Sequence, residues 1–402
     1  MSWTSIIGAV EIGTSKVVVL VAEVSEVGSM NIIGRGQSTN IGMRKGSILD
    51  IESVSNCTHA AIMNAEKSAG RQIERVFLSM TGDHLWGFRN SGVTAINTHG
   101  NIVTEADIER AVENAKSKDL EPGEVYIQHI RIGFRLDGQL CDNPLGREGS
   151  QLEVAYFHVV GDEQILKEHI SIINGFGLEV NDIVISSIAS GSLLATDEEK
   201  RQGVLVVDIG KGTTDFVLYR GRRAVYTGVI PVGGDHITND LALGLRTKQK
   251  LAEGLKKRAA KAMVTKDDRE QLVSLIGDLT IGDSVFPLLS VNKITHARLE
   301  ELFIILKNRL GSELSRQNLP AGVILTGGVS LTPLITELAE QILDVPVARG
   351  ESPDWVRHEE LRGPEYATVL GLLYNALHDA HRKPVQGKAR RGWFGKMQEI
   401  FG

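Results

Sequence analysis

Two short segments of the chain repeat a pattern of acid, glycine and hydroxyl residues that could hold a phosphate. They are Val10–Ser15 and Val207–Asp215. Each follows an apolar strand, places Glu11 or Asp208 one residue before Ile-Gly, and turns back into a second apolar strand. Glycine lets backbone N–H groups approach phosphate oxygens, and Ser or Thr hydroxyls donate further hydrogen bonds. The acid could hold Mg²⁺ through water. Two such hairpins facing each other would clasp a triphosphate.

A third segment favours the phosphate interpretation over two ordinary tight turns. Val323–Ser330 is an apolar strand that runs into Gly327-Gly328, and a helix is predicted after Pro333. A double glycine allows close backbone approach to a flat nucleoside, and a helix N-terminus adds positive potential. Other nucleotide motifs fail on spacing. A Walker A loop would need glycine at Leu205, and a dinucleotide fingerprint would need it at Asp215.

Length, charge and cysteine content limit the class of protein. A chain of 402 residues predicts two lobes or several subdomains, and a net charge of -6 argues against a nucleic-acid partner. Two distant cysteines exclude a disulfide framework and a cysteine-rich metal site, and they fit a reducing cytoplasm. No signal peptide and no uncharged apolar run of about 20 residues is apparent. We therefore expect a cytosolic protein, unless something tethers it.

The order of strand and helix patterns predicts an α/β chain with a small α+β insertion in the first lobe. A change in the pattern of residues after position 82 indicates where the insertion begins. The second lobe is predicted to be helical from about Asp240 to Ala262 and again at Thr295–Ser315. The predicted units are 1–82 with 162–195 (subdomain 1A), 83–161 (inserted subdomain 1C), 196–238 with 316–378 (subdomain 2A), 239–315 (subdomain 2B), 379–390 (a flexible basic linker) and 391–402 (an amphipathic helix).

The order acid-hairpin, acid-hairpin, strand-Thr-Gly-Gly resembles the actin, sugar-kinase and heat-shock-chaperone superfamily. Within it, the chain resembles the FtsA family of bacterial cell-division proteins over nearly its whole length. The further motifs that carry this resemblance are Asn31–Gly34, Gly42–Gly46, Asn143–Gly146, Pro231–Asp235 and Ala367–Leu373. The resemblance implies an actin-like two-lobe ATPase fold, built from duplicated ribonuclease-H-like domains and carrying an inserted subdomain.

The same resemblance implies ATP and Mg²⁺ as ligands and a set of residues that bind them. Glu11 and Asp208 would hold Mg²⁺ through water, and Glu253 with Lys256 would flank the adenosine. Without the family match, Glu253 and Lys256 would be an exposed ion pair on a helix. The predicted ATP-binding residues are Gly13, Thr14, Ser15, Lys16, Asp208, Gly210, Lys211, Gly212, Thr213, Thr214, Gly234, Glu253, Lys256, Gly327, Gly328 and Val329.

The family also implies partners and a location. Its members polymerise, bind the C-terminal peptide of FtsZ, anchor it to the cytoplasmic face of the inner membrane, and recruit later division proteins through subdomain 1C. Lys293, Arg298 and Arg309 would form the FtsZ-binding surface of subdomain 2B, since the resemblance implies an acidic and apolar FtsZ peptide, which suits a basic surface. The alternative for these three residues is an ordinary solvated helix face.

Three positions depart from the superfamily pattern. Glu11 stands where aspartate is common, and Lys211 stands where glycine is common. Lys211 could contact phosphate or face solvent. Ser186 aligns with the glutamine or glutamate that positions the attacking water, and serine is too short and has no suitable pKa to act as a base. The sequence therefore predicts slow or absent ATP hydrolysis.

The C-terminal tail, residues 379–402, has the composition of a membrane anchor. From His381 onward it carries six basic residues and one acid, with Pro384 and Gly387 marking a linker. One helical face would carry Trp393, Phe394, Met397, Ile400 and Phe401, flanked by the basic residues Lys388, Arg390, Arg391 and Lys396. This pattern is typical of helices that lie on anionic membranes. A helix docked on the protein's own core and a peptide that binds in a partner's groove are the alternatives.

Two other classes of protein share the superfamily pattern. A sugar kinase would need a catalytic acid in a substrate cleft, and the sequence offers no candidate. A pilus-assembly or shape-determining actin homologue would share the nucleotide site. A pilus-assembly homologue should lack the basic aromatic tail. A shape-determining homologue typically lacks the insertion between Asp83 and Gly161.

Overall fold

The computed structural model describes residues 3–25, 29–97, 99–275 and 284–381. The first part forms β1 (Trp3–Ile12), β2 (Lys16–Ser25), β3 (Met30–Thr39), β4 (Met43–Arg44), β5 (Ser47–Ile48), α1 (Ile51–Ala69), β6 (Arg75–Met80), β7 (Trp86–Ala95), α2 (Glu105–Lys116), β8 (Glu124–Leu136), β9 (Gln139–Cys141), β10 (Gln151–Asp162), α3 (Glu163–Asn174), β11 (Glu179–Ile185) and α4 (Ser186–Leu194). The second forms α5 (Asp197–Gln202), β12 (Val204–Ile209), β13 (Thr214–Arg220), β14 (Arg223–Ile230), α6 (Gly234–Gly244), α7 (Gln249–Ala259), β15 (Leu272–Leu275), β16 (Ser284–Pro287), α8 (Leu288–Leu310), β17 (Val323–Thr326), α9 (Ile335–Leu343), β18 (Val347–Arg349) and α10 (Ala367–His381).

Each lobe is built on a five-stranded sheet, and the two sheets have the same connectivity. The strand order is β11-β6-β1-β2-β3 in lobe one and β14-β13-β12-β17-β18 in lobe two. In each, three antiparallel strands are followed by two strands parallel to the first. The β1–β2 and β12–β13 hairpins therefore occupy equivalent places, as the sequence repeat predicted. The duplicated fold is confirmed.

Local sequence explains the helix that covers one face of the first sheet. Helix α1 begins after Asp50, whose carboxylate accepts from the N–H groups of Glu52 and Ser53. It ends at Gly70, which adopts φ 63° and so terminates the helix in the left-handed region. Between these caps its apolar residues pack on strands β2 and β3, and this face is part of the main core of lobe one.

Helices α4 and α10 pack against each other and tie the two sheets together. Helix α10 lies on β1, β2 and β6, while α4 lies on β12 and β13. The approach is close, because a Cβ atom at Gly371 would lie 2.0 Å from the Ala189 carbonyl oxygen. This contact explains a glycine in the Ala367–Leu373 motif.

The predicted α+β insertion is present between β6 and α3. Its sheet has the order β7-β10-β8-β9, and α2 packs on one face of it. Thr104 and Asp107 form a capping box at the start of α2. A Cβ atom at Gly92 would lie 2.0 Å from the Ala111 carbonyl oxygen, so glycine lets the helix approach the sheet.

The second lobe carries a smaller unit that contains α6, α7 and α8. The predicted bounds of its helices were wrong. The segment predicted as helical from Asp240 to Ala262 forms α6 and α7, which are separated by Leu245–Lys248. The helix predicted at Thr295–Ser315 instead begins at Leu288, directly after Pro287, and ends before Gly311. The predicted boundary between residues 238 and 239 falls inside α6, and α10 extends three residues beyond the predicted end of the body at 378.

Within the described ranges, no helix combines the length and the apolar character needed to cross a bilayer. The tail beyond His381, with its linker and its amphipathic helix, lies outside the described residues.

Candidate functional site

A cavity of about 600 Å³ lies between the two lobes. Both acidic hairpins and the double-glycine turn contribute to its wall. Among the residues predicted to bind the nucleotide or its metal, the structure brings together Glu11, Gly13, Thr14, Ser15, Lys16, Asp208, Gly210, Lys211, Gly212, Thr213, Gly234, Glu253, Lys256, Gly327, Gly328 and Val329. Thr214 is the exception: it is fully buried and donates its hydroxyl to the Val232 carbonyl at 2.8 Å, behind the cavity wall.

The tip of the first hairpin is held in place by the Gly42–Gly46 motif. The Gly13 N–H donates to the Lys16 carbonyl at 3.0 Å and closes the turn. Asn40 donates to the Gly13 carbonyl at 2.8 Å and accepts from the Gly42 N–H at 3.0 Å. The Gly46 N–H donates to the Thr14 hydroxyl at 3.4 Å. The motif thus fixes the hairpin that would hold phosphate.

The second hairpin touches the first one at its tip. The Gly210 N–H donates to the Thr213 carbonyl at 2.9 Å, which mirrors the turn of the first hairpin. A Cβ atom at Gly212 would lie 2.6 Å from the Thr14 hydroxyl oxygen and 3.0 Å from the Lys45 nitrogen. Only glycine permits this approach of the two lobes.

Three carboxyl groups line the cavity: that of Asp215 is buried, and those of Glu11 and Asp208 are half-buried. Burial raises the pKa of Glu11 to about 8, assisted by the nearby negative charge of Asp208. Burial also raises the pKa of Asp208 to about 6, against a hydrogen bond from the Thr368 hydroxyl at 2.9 Å. One Glu11 oxygen is buried without a partner among the described residues. Negative charge on these carboxyl groups is therefore unfavourable by itself, and a bound cation would stabilise it.

The carboxyl groups do not form a direct metal cage. In the part of the chain that the structure describes, no three His, Cys, Asp or Glu side chains are grouped closely enough to hold a metal ion. An unpartnered Glu11 oxygen together with the carboxylate of Asp208 fits a hydrated Mg²⁺ ion, which needs few protein ligands.

The double-glycine turn continues from β17 and forms one wall of the cavity. Gly327 adopts φ 80°, and a Cβ atom there would lie 2.4 Å from an Asp208 carboxylate oxygen. A Cβ atom at Gly328 would meet nothing within 4 Å, so its backbone faces open space. The Ser330 hydroxyl donates to the Gly327 carbonyl at 2.7 Å and holds the turn.

Glu253 and Lys256 form an anchored pair rather than an exposed one. The Lys256 ammonium lies 2.6 Å from the Glu253 carboxylate and donates to Thr238 at 2.8 Å and to the Gly234 carbonyl at 3.0 Å. The Lys256 side chain is 13% exposed. Burial opposes ionisation of Glu253, but the Lys256 charge and the hydrogen bonds outweigh it and lower the pKa of Glu253 to about 2.

Several cavity residues were missed from the sequence. Thr81 and Asp215 meet across the cleft at 2.6 Å, and Thr368 and Glu365 line the same space. Asp215 is the last residue of the second acidic motif, so the sequence did contain a signal by which it could have been predicted. Ser186 lies at the start of α4, lines the cavity and donates its hydroxyl to the Met80 carbonyl at 3.2 Å.

The three predicted FtsZ-binding residues do not share one face of α8. At 100° per residue, Arg298 and Arg309 lie on one side of the helix, and Lys293 lies roughly 140° away from Arg298. Arg298 is paired with Asp240 at 2.5 Å and with Glu301. Arg309 donates to the Val229 carbonyl at 3.4 Å, while Lys293 is exposed. The predicted membrane-binding residues lie outside the described residues.

Comparisons with known proteins agree with this architecture. A family model described as "Cell division protein FtsA" matches residues 205–371, and another, "SHS2 domain inserted in FTSA", matches residues 82–160. The cell division protein FtsA of Neisseria meningitidis serogroup B is 33% identical over 375 residues, covering 92% of this chain and 90% of that protein. FtsA of Bacillus subtilis is 30% identical over 383 residues, covering 94% and 84%.

Solved structures show the same fold at lower identity. A PilM–PilN type IV pilus biogenesis complex aligns with a TM-score of 0.65 and 18% identity, covering 92% of this chain and 98% of the other. MreB5 of Spiroplasma citri bound to ADP aligns with a TM-score of 0.56 and 14% identity, covering 94% and 99%. These structural similarities establish the actin-like fold. The sequence matches over more than 90% of the chain show to which family with this fold it belongs. The chain belongs to the FtsA family of cell-division proteins.

Proposed function

We propose that this chain binds ATP with Mg²⁺ between its lobes and anchors FtsZ polymers to the cytoplasmic face of the inner membrane. The observation that carries the nucleotide part is the cavity into which both glycine-bearing hairpins and the double-glycine turn converge. The family relationship supports the division role.

Each part of the cavity suits one part of ATP. Backbone N–H groups of Thr14, Ser15 and Lys211–Thr213, together with the hydroxyls of Thr14 and Ser15, would donate to the phosphates. Glu11 and Asp208 would hold hydrated Mg²⁺, which neutralises phosphate charge when bound. The open backbone at Gly328, between Gly327 and Val329, would lie against the nucleoside, with the anchored Glu253–Lys256 pair beside it.

Slow hydrolysis remains the prediction for this site. The Ser186 hydroxyl is engaged with the Met80 carbonyl and, unlike a carboxylate or imidazole, cannot accept a proton from water at neutral pH. ATP would then act mainly as a structural ligand that holds the two lobes together.

The anchoring role rests on the tail and on self-assembly. A helix of about 12 residues is marginal in water and must order when it binds lipid. A single copy should therefore bind anionic membrane modestly, while a filament displaying many copies should bind far more tightly through effective concentration. Subdomain 2B would take the FtsZ peptide, and the inserted subdomain would recruit later division proteins.

Two measurements on the full chain test this proposal. Calorimetric titration with ATP and MgCl₂ should show saturable binding, and a flat titration would reject the nucleotide assignment. Co-sedimentation with anionic liposomes should carry FtsZ into the pellet only when the full chain is present. A chain lacking residues 382–402 that still brings FtsZ to the liposomes would reject the anchor.

A further inference from the structure

The side chain of Lys211 projects from the tip of the second hairpin. It lines the cavity, is 36% exposed, and its ammonium lies 3.9 Å from the Asp235 carboxylate. We infer that Lys211 binds the terminal phosphate of a nucleoside triphosphate, exchanging Asp235 for it, and so makes the site prefer triphosphate over diphosphate. This inference rests on the proposed ATP site and assigns its selectivity to one residue.

The backbone around Lys211 is fixed, so only its side chain has to move. The Asp235 N–H donates to the Lys211 carbonyl at 2.8 Å, and the Gly234 N–H donates to the Gly210 carbonyl at 3.0 Å. A Cβ atom at Gly233 would lie 2.7 Å from the Lys211 carbonyl oxygen. These contacts lock the hairpin tip against the start of α6. The long side chain can then turn by rotamer change alone.

The position of the tip favours the terminal phosphate. At the next residue, Gly212, a Cβ atom would lie 2.6 Å from the hydroxyl oxygen of Thr14 in the opposite hairpin. The two hairpins therefore approach each other at this tip. A triphosphate clasped between them would place its outermost group near this junction, within reach of a four-carbon side chain.

Lys211 is also the least committed of the five described lysines that line the cavity. Lys257 and Lys261 lie 3.1 Å and 3.0 Å from the carboxylates of Glu253 and Asp268. Lys256 makes three close polar contacts, and the Lys16 ammonium lies 3.7 Å from the centre of the Tyr366 ring, near the charges of Glu11 and Glu365. The Lys211–Asp235 distance exceeds that of a hydrogen bond, and a partly exposed ion pair of this kind is weak. An ammonium facing a phosphate forms a stronger, charge-assisted bond.

Asp235 can release Lys211 without being left uncompensated. Burial raises the pKa of Asp235, and the charges of both Lys211 and Lys256 act in the opposite direction. When Lys211 turns to phosphate, the charge of Lys256 still acts on Asp235. Asp235 thus acts as a resting partner for Lys211, and removing its charge should free the lysine for phosphate.

The test compares affinities for ATP, the non-hydrolysable analogue AMP-PNP and ADP, each with MgCl₂, by calorimetry. For Lys211→Gln we expect affinity for ATP and AMP-PNP to fall about tenfold and affinity for ADP to fall less than about threefold. Lys211→Arg should restore most of the preference. Lys250→Gln removes an exposed lysine of the same lobe outside the cavity and should change neither affinity.

A double-mutant cycle with Asp235 provides the second criterion. Asp235→Asn should tighten ATP binding by about two- to fivefold in the wild-type background, and that gain should vanish when Lys211 is glutamine. Equal losses of ATP and ADP affinity in Lys211→Gln, or no loss, would overturn this inference while leaving the ATP site intact. A wild-type chain that binds neither nucleotide would overturn both.

Discussion

The Thr81 hydroxyl of lobe one donates a 2.6 Å hydrogen bond to the Asp215 carboxylate of lobe two. Asp215 also accepts from the Thr213 hydroxyl at 3.0 Å and is buried, and this burial raises its pKa to about 7. Thr81 directly follows β6 and precedes the inserted subdomain. This hydrogen bond therefore joins the two lobes at the cavity wall, next to the point where the inserted subdomain begins.

Removing this hydroxyl should destabilise the chain. Thr81→Val keeps the shape of the side chain but leaves a buried carboxyl oxygen without its donor, which costs about 1–3 kcal/mol. We expect the urea midpoint to fall accordingly. Thr39→Val, at an exposed position of β3, is the matched control and should be near neutral. A midpoint for Thr81→Val equal to that of the control would contradict a stabilising role for this bond.

Asp208 should make nucleotide affinity depend on magnesium. Asp208→Asn keeps an oxygen that can accept from Thr368 but removes the charge that would hold hydrated Mg²⁺. We expect affinity for ATP to fall about tenfold with MgCl₂ and to change little in EDTA. Asp354→Asn removes an exposed carboxylate and serves as the control. Unchanged magnesium dependence in Asp208→Asn would place the cation elsewhere.

The hairpins could be predicted from sequence because their chemistry is local. An acid, a glycine and a hydroxyl within a few residues of an apolar strand specify the turn and the groups it exposes. The Thr81–Asp215 bond could not be predicted, because it joins residues 134 positions apart and depends on how the two lobes pack. The start of α8 was missed because the burial of Leu288 and Val291 in the first turn of this helix depends on packing that the local sequence does not show.

The predicted FtsZ-binding residues do not form one patch on α8, because Lys293 lies roughly 140° around the helix from Arg298. Arg298 looked available in the sequence, but it pairs with Asp240, 58 positions earlier. Charge reversal of Arg298 should therefore lower stability by leaving Asp240 beside a second negative charge, whatever happens to FtsZ. Residues in the exposed part of the helix, such as Lys293, are the informative positions.

Lys293→Glu should weaken binding of the FtsZ C-terminal peptide without destabilising the fold. The lysine is exposed, and an acidic peptide would be repelled by the new charge, most strongly at low salt. Fluorescence anisotropy at two salt concentrations measures this effect, and the melting temperature reports stability. Lys250→Glu, on α7 of the same subdomain, is the control. Identical dissociation constants for Lys293→Glu, the control and wild type would move the docking site elsewhere.

His84 should make stability depend on pH. Neither of its buried ring nitrogens has a partner among the described residues. Burial lowers its pKa to about 4, and the charge of His169 adds to this effect while Asp83 and Asp162 oppose it. As pH falls below about 6.5, the unfolded imidazole takes up a proton before the folded one does, so the free energy of unfolding decreases.

The expected loss from His84 alone is about 2 kcal/mol between roughly pH 7.5 and pH 5. Because the carboxyl groups of the cavity titrate in the opposite sense, the measured quantity is the difference between wild type and His84→Leu. Urea denaturation at both pH values should show wild type losing more stability than the variant. Parallel losses would mean that His84 is hydrated in solution.

The tail should bind membrane through its apolar stripe and its basic residues in separable ways. Partial burial of Trp393 is worth on the order of 1 kcal/mol or more, and a charge placed there removes that gain and adds a desolvation cost. Trp393→Glu should therefore release the protein from anionic liposomes at any salt concentration while leaving ATP affinity unchanged. Reversing Arg390 and Arg391 should weaken flotation in a salt-dependent way, since attraction to headgroups is screened. A chain ending at His381 is the reference for complete loss, and if it still floats with the vesicles, the anchor lies elsewhere in the protein.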